Sequence, residues 1–444
     1  MFGGDEVYPT ASRQEYEARL VGPYETALRT TQPPHPDVFA VPGNHDWYDG
    51  LVSFTRLFCS KAWFGGWRAP QTRSYFSLKL PRGWWLIGTD VQLGSDIDGP
   101  QVEYFKKVAA DMVEGDRIIL CNAEPHWIYA HMYGDYNREV YNESSLEFLE
   151  QKVFGKRVSV FLAGDLHHYR RHAAPDGTQK ITAGGGGAFL HPTHGSDVDT
   201  LQGGYVLQAS FPDEATSRRL CWRNLLFPLQ NWKFGSLPAA FYTLTAWAVM
   251  ADIGTLRDLR AALGATLNAT LATPVAAFWV LALFVGFWLF TDTHSKPYRW
   301  IMGSVHGLTH LAAAFFLGWG ASYLTVSGLS LARQSPFRLI LAGLLMSLGG
   351  WVLGSCIMGL YLLVSLNGFG HHQNEAFSSL AIPDWKSFLR LHIGPNGDLT
   401  IFPIGVRRVA RGWRHSSAPD GPGLVADDPR ATDAELIEVP IVLR

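Results

Sequence analysis

Four short clusters of polar residues carry most of the chemistry that this sequence offers. Their side chains are carboxylates, amides and imidazoles, and the clusters are Gly3-Gly4-Asp5, Gly43-Asn44-His45-Asp46, Asn122-Ala123-Glu124-Pro125-His126 and Gly164-Asp165-Leu166-His167-His168. Such oxygen and nitrogen donors suit Mn, Fe, Zn or Mg rather than a metal held by soft thiolates. Each cluster alone is compatible with an ordinary polar turn, but their joint occurrence favours a metal site.

The clusters follow apolar segments that have the length and composition of buried strands. The predicted strands are Asp37–Pro42, Trp84–Thr89, Arg117–Cys121 and Val158–Ala163, and the predicted helices are Gln101–Val113 and Ser144–Val153. Strands that alternate with helices predict an α/β fold. In such a sheet the loops beyond the carboxyl ends of the strands meet in one crevice, so we expect the clusters to converge there.

In the order of these clusters, residues 1–215 resemble the calcineurin-like metallophosphoesterase superfamily. The ordered motifs of that family are Asp-x-His, Gly-Asp, Gly-Asn-His-Asp/Glu, a single His and Gly-His-x-His. The resemblance implies a four-layer sandwich of two sheets flanked by helices, with two divalent metal ions (Mn, Fe, Zn or Mg) at one end. It also implies a hydrolase that cleaves phosphate ester bonds with a hydroxide activated by the two metal ions.

The resemblance assigns metal ligands residue by residue. Asp5 is the carboxylate that bridges both metal ions, and Asn44 binds the second metal ion through its amide oxygen. His167 matches the second His of Gly-His-x-His and binds the first metal ion. Asp165 stands where the family has the first His of that motif, and an aspartate there is chemically able to bind metal. His168 is the alternative ligand if Asp165 is not one.

The resemblance also assigns the catalytic residues. His45 contacts the phosphate and stabilises or protonates the leaving oxygen, and Asp46 orients His45 as a neighbouring carboxylate commonly does. The single His of the family precedes a proline by two residues, but here Ala123 has that place before Pro125. His126 follows the proline and is the substitute ligand that we predict.

The beginning of the sequence departs from the family pattern. Only Met1 and Phe2 precede the glycines of the Gly-Asp motif, which leaves no room for a first strand or an Asp-x-His motif. We expect a functional start further upstream. This departure, together with Ala123, keeps a second interpretation open, in which the chain is a catalytically inactive membrane sensor or scaffold with a degenerate phosphoesterase domain.

Four stretches without Asp, Glu, Lys or Arg predict a membrane domain. They are Phe234–Ala251, Ala261–Thr291, Trp300–Ala332 and Leu339–Asn374. A spanning helix needs about 20 apolar residues, which the last three stretches exceed and the first only approaches. The predicted organisation is a phosphoesterase domain at 1–215, a linker at 216–236, about four transmembrane helices within 237–366, a C-terminal β segment at 367–414 and a disordered tail at 415–444.

Charge bears on topology and on partners. With four spans, Lys and Arg residues are more frequent on the side that holds both termini, so we expect an integral multi-pass protein with its catalytic domain in the cytoplasm. The formal net charge of -2 gives no reason to expect nucleic acid as a partner. The expected partners are the membrane and a phosphate-ester substrate, for which a phospholipid, a lipid-linked pyrophosphate and a soluble phosphodiester all remain open.

Histidines outside the four clusters have less specific interpretations. His191 and His194 follow the glycine-rich Gly184–Gly187, where a wall of the substrate site and a plain turn are equally compatible. His306 and His310 are four residues apart in the third apolar stretch. Polar residues at that depth are often functional, but packing near the membrane edge is the interpretation that the sequence favours.

Overall fold

The computed structural model describes residues 1–28, 36–91, 96–133, 145–250, 258–291, 295–416 and 423–444. They form two compact units, of which the first joins Met1–Ser217 to Ala381–Arg444 and the second is Arg218–Leu380. The first unit is mixed α/β and the second is helical. The C-terminal β segment, predicted as a separate region, therefore belongs to the same unit as the N-terminal clusters.

The first unit is built on a mixed sheet. Its N-terminal part contains β1 (Trp63–Phe64), β2 (Trp67–Arg68), β3 (Phe76–Lys79), β4 (Trp84–Gly88), β5 (Arg117–Asn122), β6 (Val158–Ala163), β7 (Tyr169–Ala173), β8 (Gln179–Ala183), β9 (Thr200–Leu201) and β10 (Tyr205–Phe211). Eight of these strands form one sheet in the order β3-β4-β5-β6-β8-β7-β10-β9. Strands β4, β5, β6 and β8 run parallel, so their carboxyl ends lie at one edge.

Helices cover one face of this sheet. Side chains alternate between the faces of a strand, and Ile118 and Leu120 of β5 point to the helical side. They pack with Phe105 of the Gly99–Ala110 helix and with Leu149, at the start of the Leu149–Phe154 helical segment. Smaller helical segments lie elsewhere in the unit: Arg13–Tyr16, Glu17–Val21, Gly22–Ala27, Asp46–Asp49, Val52–Phe54, Thr55–Ser60, Pro81–Gly83, His126–Tyr133, Ser145–Phe148, Gly155–Arg157 and Pro429–Thr432. The helix Glu214–Cys221 includes the boundary at which the first unit ends and the second begins.

A second sheet packs with the opposite face. It consists of β11 (Lys386–Ile393), β12 (Leu399–Val406), β15 (Ala434–Leu436) and β16 (Ile441–Leu443), and a separate pair is formed by β13 (Trp413–His415) and β14 (Leu424–Ala426). The fully buried Leu399 and Ile401 share a core with Ile119 of β5. Strands β11 and β12 pair through all eight residues of each strand and form a hairpin around the 394–397 turn.

The chain end is not disordered over residues 423–444, so the prediction of a disordered tail is wrong there. Strands β15 and β16 both pair with β12. Between them Glu438 accepts two hydrogen bonds from Arg171, at 2.8 and 2.5 Å, and one from the Tyr169 hydroxyl at 2.5 Å. The composition of this segment is polar, and the residues that order it, such as Tyr169 and Arg171, lie far away in the sequence. Composition alone therefore could not distinguish it from a disordered tail. Residues 417–422 lie outside the described residues.

The predicted strands at the centre of the sheet agree with the observed ones, but one predicted strand does not form. Trp84–Gly88, Arg117–Asn122, Val158–Ala163 and the helix Gly99–Ala110 lie within two or three residues of their predicted bounds. The segment Asp37–Pro42, in contrast, forms only isolated bridges, one of them a parallel pairing of Ala40 with Phe2.

The second unit contains two helices long and apolar enough to cross a membrane, Lys296–Gly328 and Pro336–Phe369. The helices Leu259–Ala272 and Pro274–Leu289 together pass the same test but meet at 107°, so the described residues hold up to three spans rather than a confirmed four. Thr273 is extended, as a residue before proline tends to be, and the bend follows from it. Shorter helical segments are Trp222–Leu226, Phe227–Gln230, Ser236–Met250 and Gln373–Ser378.

Close helix packing in the second unit depends on glycine. Gly354, in the Pro336–Phe369 helix, faces Pro238 of the Ser236–Met250 helix so closely that a Cβ atom would overlap it. Gly350, one turn earlier, is also closely packed, because a Cβ atom there would lie 3.2 Å from the Tyr242 Cβ. Small residues let helix backbones approach in membranes, which agrees with the apolar composition of this unit. The first predicted span corresponds to Ser236–Met250, and residues 251–257 lie outside the described part of the chain.

Candidate functional site

A cleft lies beyond the carboxyl ends of the parallel strands, where the sequence predicts the site. It is lined by residues of all four clusters: Asp5, Gly43, Asn44, Val91, Ala123, Glu124 and Asp165. Three of the predicted metal ligands, Asp5, Asn44 and Asp165, therefore come together. Their side chains bring two carboxylates and one amide to a common opening, and Glu124 adds a third carboxylate.

Glycines allow the first two clusters to approach each other. Gly4 has φ of +106°, and a Cβ atom there would lie 2.9 Å from the Ala123 Cβ and 3.2 Å from the Gly43 Cα. Asp5 follows in the left-handed region, with φ of +55°. Its Oδ1 accepts a hydrogen bond of 3.0 Å from the His45 backbone N–H. A strained backbone at this point fixes the carboxylate at the cleft.

Asp46 joins the two clusters instead of orienting His45, so the role predicted for it is wrong. Its Oδ2 accepts hydrogen bonds of 2.9 Å from the backbone N–H groups of Asp5 and Gly43, and its Oδ1 accepts one from the Tyr16 hydroxyl. Asp46 thus holds the loop that presents Asp5. These contacts engage both carboxylate oxygens of Asp46, and the His45 ring is held by the Pro9 carbonyl instead.

The His45 ring is held by a backbone carbonyl. Its Nδ1 lies 2.5 Å from the Pro9 oxygen. A carbonyl oxygen only accepts, so Nδ1 carries the proton and Nε2 is the nitrogen that can act on a substrate. The rings of Tyr8 and Tyr48 pack against the imidazole, with centroid distances of 4.6 and 4.9 Å.

His126 does not line the cleft, contrary to its predicted role. Its Nδ1 is 3.3 Å from the Asn122 amide nitrogen, and its Nε2 is 3.1 Å from a carboxylate oxygen of Glu150. The reason is local, because a helix begins at His126 and turns the side chain away. Glu124, between Ala123 and Pro125, occupies the cleft. The sequence did contain a feature that could have identified Glu124, namely an acidic residue shortly after a buried strand.

The fourth cluster contributes Asp165 to the lining of the cleft, and neither of its histidines is part of that lining. His167 is nevertheless close to His45, because the Tyr8 ring packs against both imidazoles. Asp165 has φ of +59°, and its Oδ2 accepts a hydrogen bond from the Tyr129 hydroxyl. His167 Nδ1 donates to the Phe189 carbonyl at 2.8 Å, and its ring stacks on His191 at 4.0 Å. His168 is buried, with 2% of its surface exposed. Of the two alternatives, Asp165 rather than His168 therefore faces the cleft.

Gly187 explains why His167 can adopt its position. A Cβ atom at Gly187 would overlap the His167 ring, whereas one at the neighbouring Gly186 would meet nothing within 4 Å. Gly187 thus leaves room for the imidazole, whereas Gly184 and Gly185 approach Leu166 and Ser387 instead. Burial lowers the pKa of His167 to about 4, so the ring is neutral at physiological pH and carries a lone pair on Nε2.

Burial raises the pKa values of all three carboxylates of the cleft, and neighbouring carboxylates add to the rise at Asp5 and Glu124. Burial, and then the charges of Asp46 and Asp165, raise the pKa of Asp5 to about 6. Burial and the charges of Asp165 and Asp5 raise the pKa of Glu124, and burial raises that of Asp165. Negative charges that are close together and partly removed from water favour either protonation or a cation between them.

The donor set fits a hard divalent cation in its chemistry. Three carboxylates and an amide oxygen are the ligands that Mg²⁺ and Mn²⁺ prefer. Within the described ranges, however, no group of three or more His, Cys, Asp or Glu side chains is arranged to hold a metal ion. Asn44 supplies an amide oxygen and is not one of these four residue types. The cleft therefore has donor atoms of the right kind for a metal ion. Among the described residues, however, three of its acidic side chains are not already arranged as ligands of one ion.

Comparison with known proteins identifies no relative, because neither a protein-family model nor a curated protein matches this chain. Its function is therefore inferred from its own residues.

Proposed function

We propose that the first unit is a metal-dependent phosphoesterase of the calcineurin-like type, which hydrolyses a phosphomonoester or phosphodiester. The observation that carries this proposal is the cleft, which combines Asp5, Asn44, Glu124 and Asp165 at the carboxyl ends of parallel strands. The order of the sequence motifs supports it, and so does a layer order of helices, sheet and second sheet that is compatible with the four-layer sandwich of that superfamily.

The cleft residues would hold two divalent cations, with Mn, Fe, Zn and Mg as candidates. Asp5, Asn44, Glu124 and Asp165 would be ligands, and Glu124 takes the place that we expected for His126. When bound, such ions supply a hydroxide nucleophile at neutral pH and neutralise charge on the phosphoryl group. His167, neutral and held at Nδ1 by the Phe189 carbonyl, is a further nitrogen donor beside the cleft.

His45 would act on the leaving group. The Pro9 carbonyl fixes the proton on Nδ1, so a second proton on Nε2 makes an imidazolium that can donate to the leaving oxygen. Asp5 accepts the His45 backbone N–H, which joins the proposed ligand and the proposed acid in one loop contact. Asp46 would contribute indirectly, because it fixes the backbone of both Asp5 and Gly43.

The second unit would place this activity at a membrane. Its two long apolar helices support an integral membrane protein. The Lys and Arg residues near the ends of these helices favour a multi-pass arrangement with the cleft on the cytoplasmic side. A phospholipid, a lipid-linked pyrophosphate and a soluble phosphodiester remain the substrate classes.

A catalytically inactive sensor or scaffold is the second candidate. Ala123 occupies the position of the family's single histidine, and no ready three-residue metal group is present among the described residues. The two candidates differ in turnover, because a scaffold needs neither a metal ion nor the His45 imidazole.

The test is hydrolysis of a chromogenic phosphodiester by the full-length protein in detergent, with and without Mn²⁺. We expect Mn²⁺-dependent turnover in the wild type and a loss of about 100-fold or more in His45→Asn, with bound metal unchanged. His415→Asn, the same replacement at an exposed residue, is the matched control and should behave as wild type. No turnover by the wild type would favour the scaffold, and full activity of His45→Asn would remove the role of His45.

A further inference from the structure

A pair of buried histidines lies in the membrane-spanning unit, away from the cleft. His306 and His310 are on the Lys296–Tyr323 helix, and they are 2% and 0% exposed. Their spacing of four residues places both rings on one face of the helix. His306 is ten residues from the start of that helix, which is about 15 Å along its axis. Polar side chains at such depth are costly, and they commonly mark ion sites or pathways.

The two rings face each other through the nitrogens that would bind a metal. The Nε2 atoms of His306 and His310 are 3.1 Å apart. Two imidazole nitrogens that share a tetrahedral cation at about 2.0–2.1 Å are separated by about 3.3 Å. The pair therefore needs only a few tenths of an ångström of movement to hold one cation between its lone pairs.

Neighbouring aromatic residues fix the orientation of the pair. The Tyr242 hydroxyl is 2.6 Å from Nδ1 of His310, and Phe287 stacks on the same ring at 3.4 Å with an interplanar angle of 4°. The ring of Tyr361 stacks on His306 at 3.9 Å. A histidine that binds metal characteristically has its other nitrogen held by an oxygen, which is the role that Tyr242 would have for His310.

Polar groups continue from the pair towards the end of the unit. The Tyr361 hydroxyl is 3.0 Å from Nε2 of His372, and Nδ1 of His372 is 3.5 Å from the carboxylate of Glu375. The side chain of Glu375 is half exposed, whereas that of His372 is buried. These contacts connect the half-exposed Glu375 through His372 to Tyr361, whose ring stacks on His306.

We propose that His306 and His310 bind a divalent d-block cation, of the class of Cu²⁺, Zn²⁺, Ni²⁺ or Co²⁺. Imidazole nitrogens select this class over Mg²⁺ or Ca²⁺. The two nitrogens supply half of the four-coordinate shell that such cations commonly adopt. The site is independent of the proposed phosphoesterase activity, because all of its residues belong to the second unit.

The test is Cu²⁺ binding to the full-length protein in detergent, purified with an affinity tag that contains no histidine. We expect the wild type to bind one more Cu²⁺ than His310→Gln or His306→Gln, and the additional Cu²⁺ to show nitrogen hyperfine coupling by electron paramagnetic resonance. His415→Gln, an exposed histidine given the same replacement, should keep the wild-type stoichiometry. Zn²⁺ should compete for the same site.

A second variant separates metal binding from folding of the helix. Tyr242→Phe keeps the ring but removes the hydroxyl that holds His310, so we expect the same stoichiometry with about 10-fold weaker Cu²⁺ affinity. The difference of one Cu²⁺ should also persist in an Asp5→Asn background, which alters the cleft. Equal stoichiometry in wild type and His310→Gln, absence of nitrogen coupling, or loss of the difference in the Asp5→Asn background would overturn the proposal.

Discussion

Replacement of Asp5 by asparagine should stabilise the metal-free protein at neutral pH, although it should damage the proposed site. The pKa of Asp5 rises from its ordinary value of 3.8 to about 6, chiefly because the carboxylate is buried and then because Asp46 and Asp165 repel it. A rise of that size corresponds to about 3 kcal/mol of folding free energy lost when the group ionises. Asparagine removes this cost and keeps an oxygen that can accept from the His45 N–H.

The sign of the effect depends on pH. The folded protein holds the Asp5 proton more tightly than the unfolded chain does, so the stabilising contribution is complete below pH 4 and is lost as pH rises through 6. Asn at this position, with φ of +55°, is also tolerated in the left-handed region. We therefore expect Asp5→Asn to raise the Tm by about 5 °C at pH 7.5 and to leave it unchanged near pH 4.

Thermal unfolding of the chelator-treated full-length protein, followed by tryptophan fluorescence, measures this effect. The exposed Asp111, replaced by asparagine, is the control and should give no change at either pH. Addition of Mn²⁺ should stabilise the wild type more than Asp5→Asn, because the variant lacks the charge that binds the cation. A metal-free Asp5→Asn protein that is no more stable than wild type at pH 7.5 would refute the assignment of a strained, repelled carboxylate.

Two further predictions use neighbouring residues as controls. Gly187→Ala should lower Mn²⁺-dependent turnover at least 10-fold, because its Cβ atom displaces His167. Gly186→Ala should have little effect, since a Cβ atom there meets nothing within 4 Å. Equal turnover of the two variants would contradict this reasoning. Glu438→Gln should destabilise the first unit by about 2 kcal/mol, because it leaves the partly buried Arg171 without its carboxylate. Glu435→Gln, at an exposed ion pair, should cost less than about 1 kcal/mol; denaturant unfolding measures both effects.

The centre of the sheet could be predicted from the sequence because its strands are continuous apolar runs. The runs Arg117–Cys121 and Val158–Ala163 are buried by helices on one side and by a second sheet on the other, and such strands need no alternation. The second sheet itself is made partly from the tail, whose strands β15 and β16 pair with β12 and whose Glu438 contacts Tyr169 and Arg171. The contacts of Glu438 span more than 200 residues of sequence, so they leave no local signal.

The cleft residues that belong to glycine motifs could be predicted from the sequence. The cleft residue next to the His126–Tyr133 helix could not, because its identity depends on where that helix begins. Gly4 before Asp5 and Gly43 before Asn44 are required for close backbone approach, so those motifs carried their structural meaning in the sequence. His126 and Glu124 differ by two positions across a proline, and only the start of the helix decides which of them faces the cleft. The role of Asp46 depended on Tyr16, whose position the sequence does not reveal.

The apolar stretches of the second unit predict membrane helices, but not their number. A long stretch without charged residues can be recognised from composition alone. Composition does not show that the break at Thr273 and Pro274 divides one such stretch into two helices that meet at 107°. The histidine pair shows the converse case. Its four-residue spacing is visible in the sequence, but the 3.1 Å separation of the Nε2 atoms and the contact with Tyr242 require the packed helices.

The central claim is that the cleft binds divalent metal ions and uses them to cleave a phosphate ester. Mn²⁺ titration of phosphodiester turnover, compared between wild type, Glu124→Gln and His126→Gln, tests it most directly. The structure predicts saturable activation of the wild type, a large increase in the Mn²⁺ concentration needed by Glu124→Gln, and a near wild-type curve for His126→Gln. Turnover that does not depend on Mn²⁺, or a defect confined to His126→Gln, would contradict the site described above.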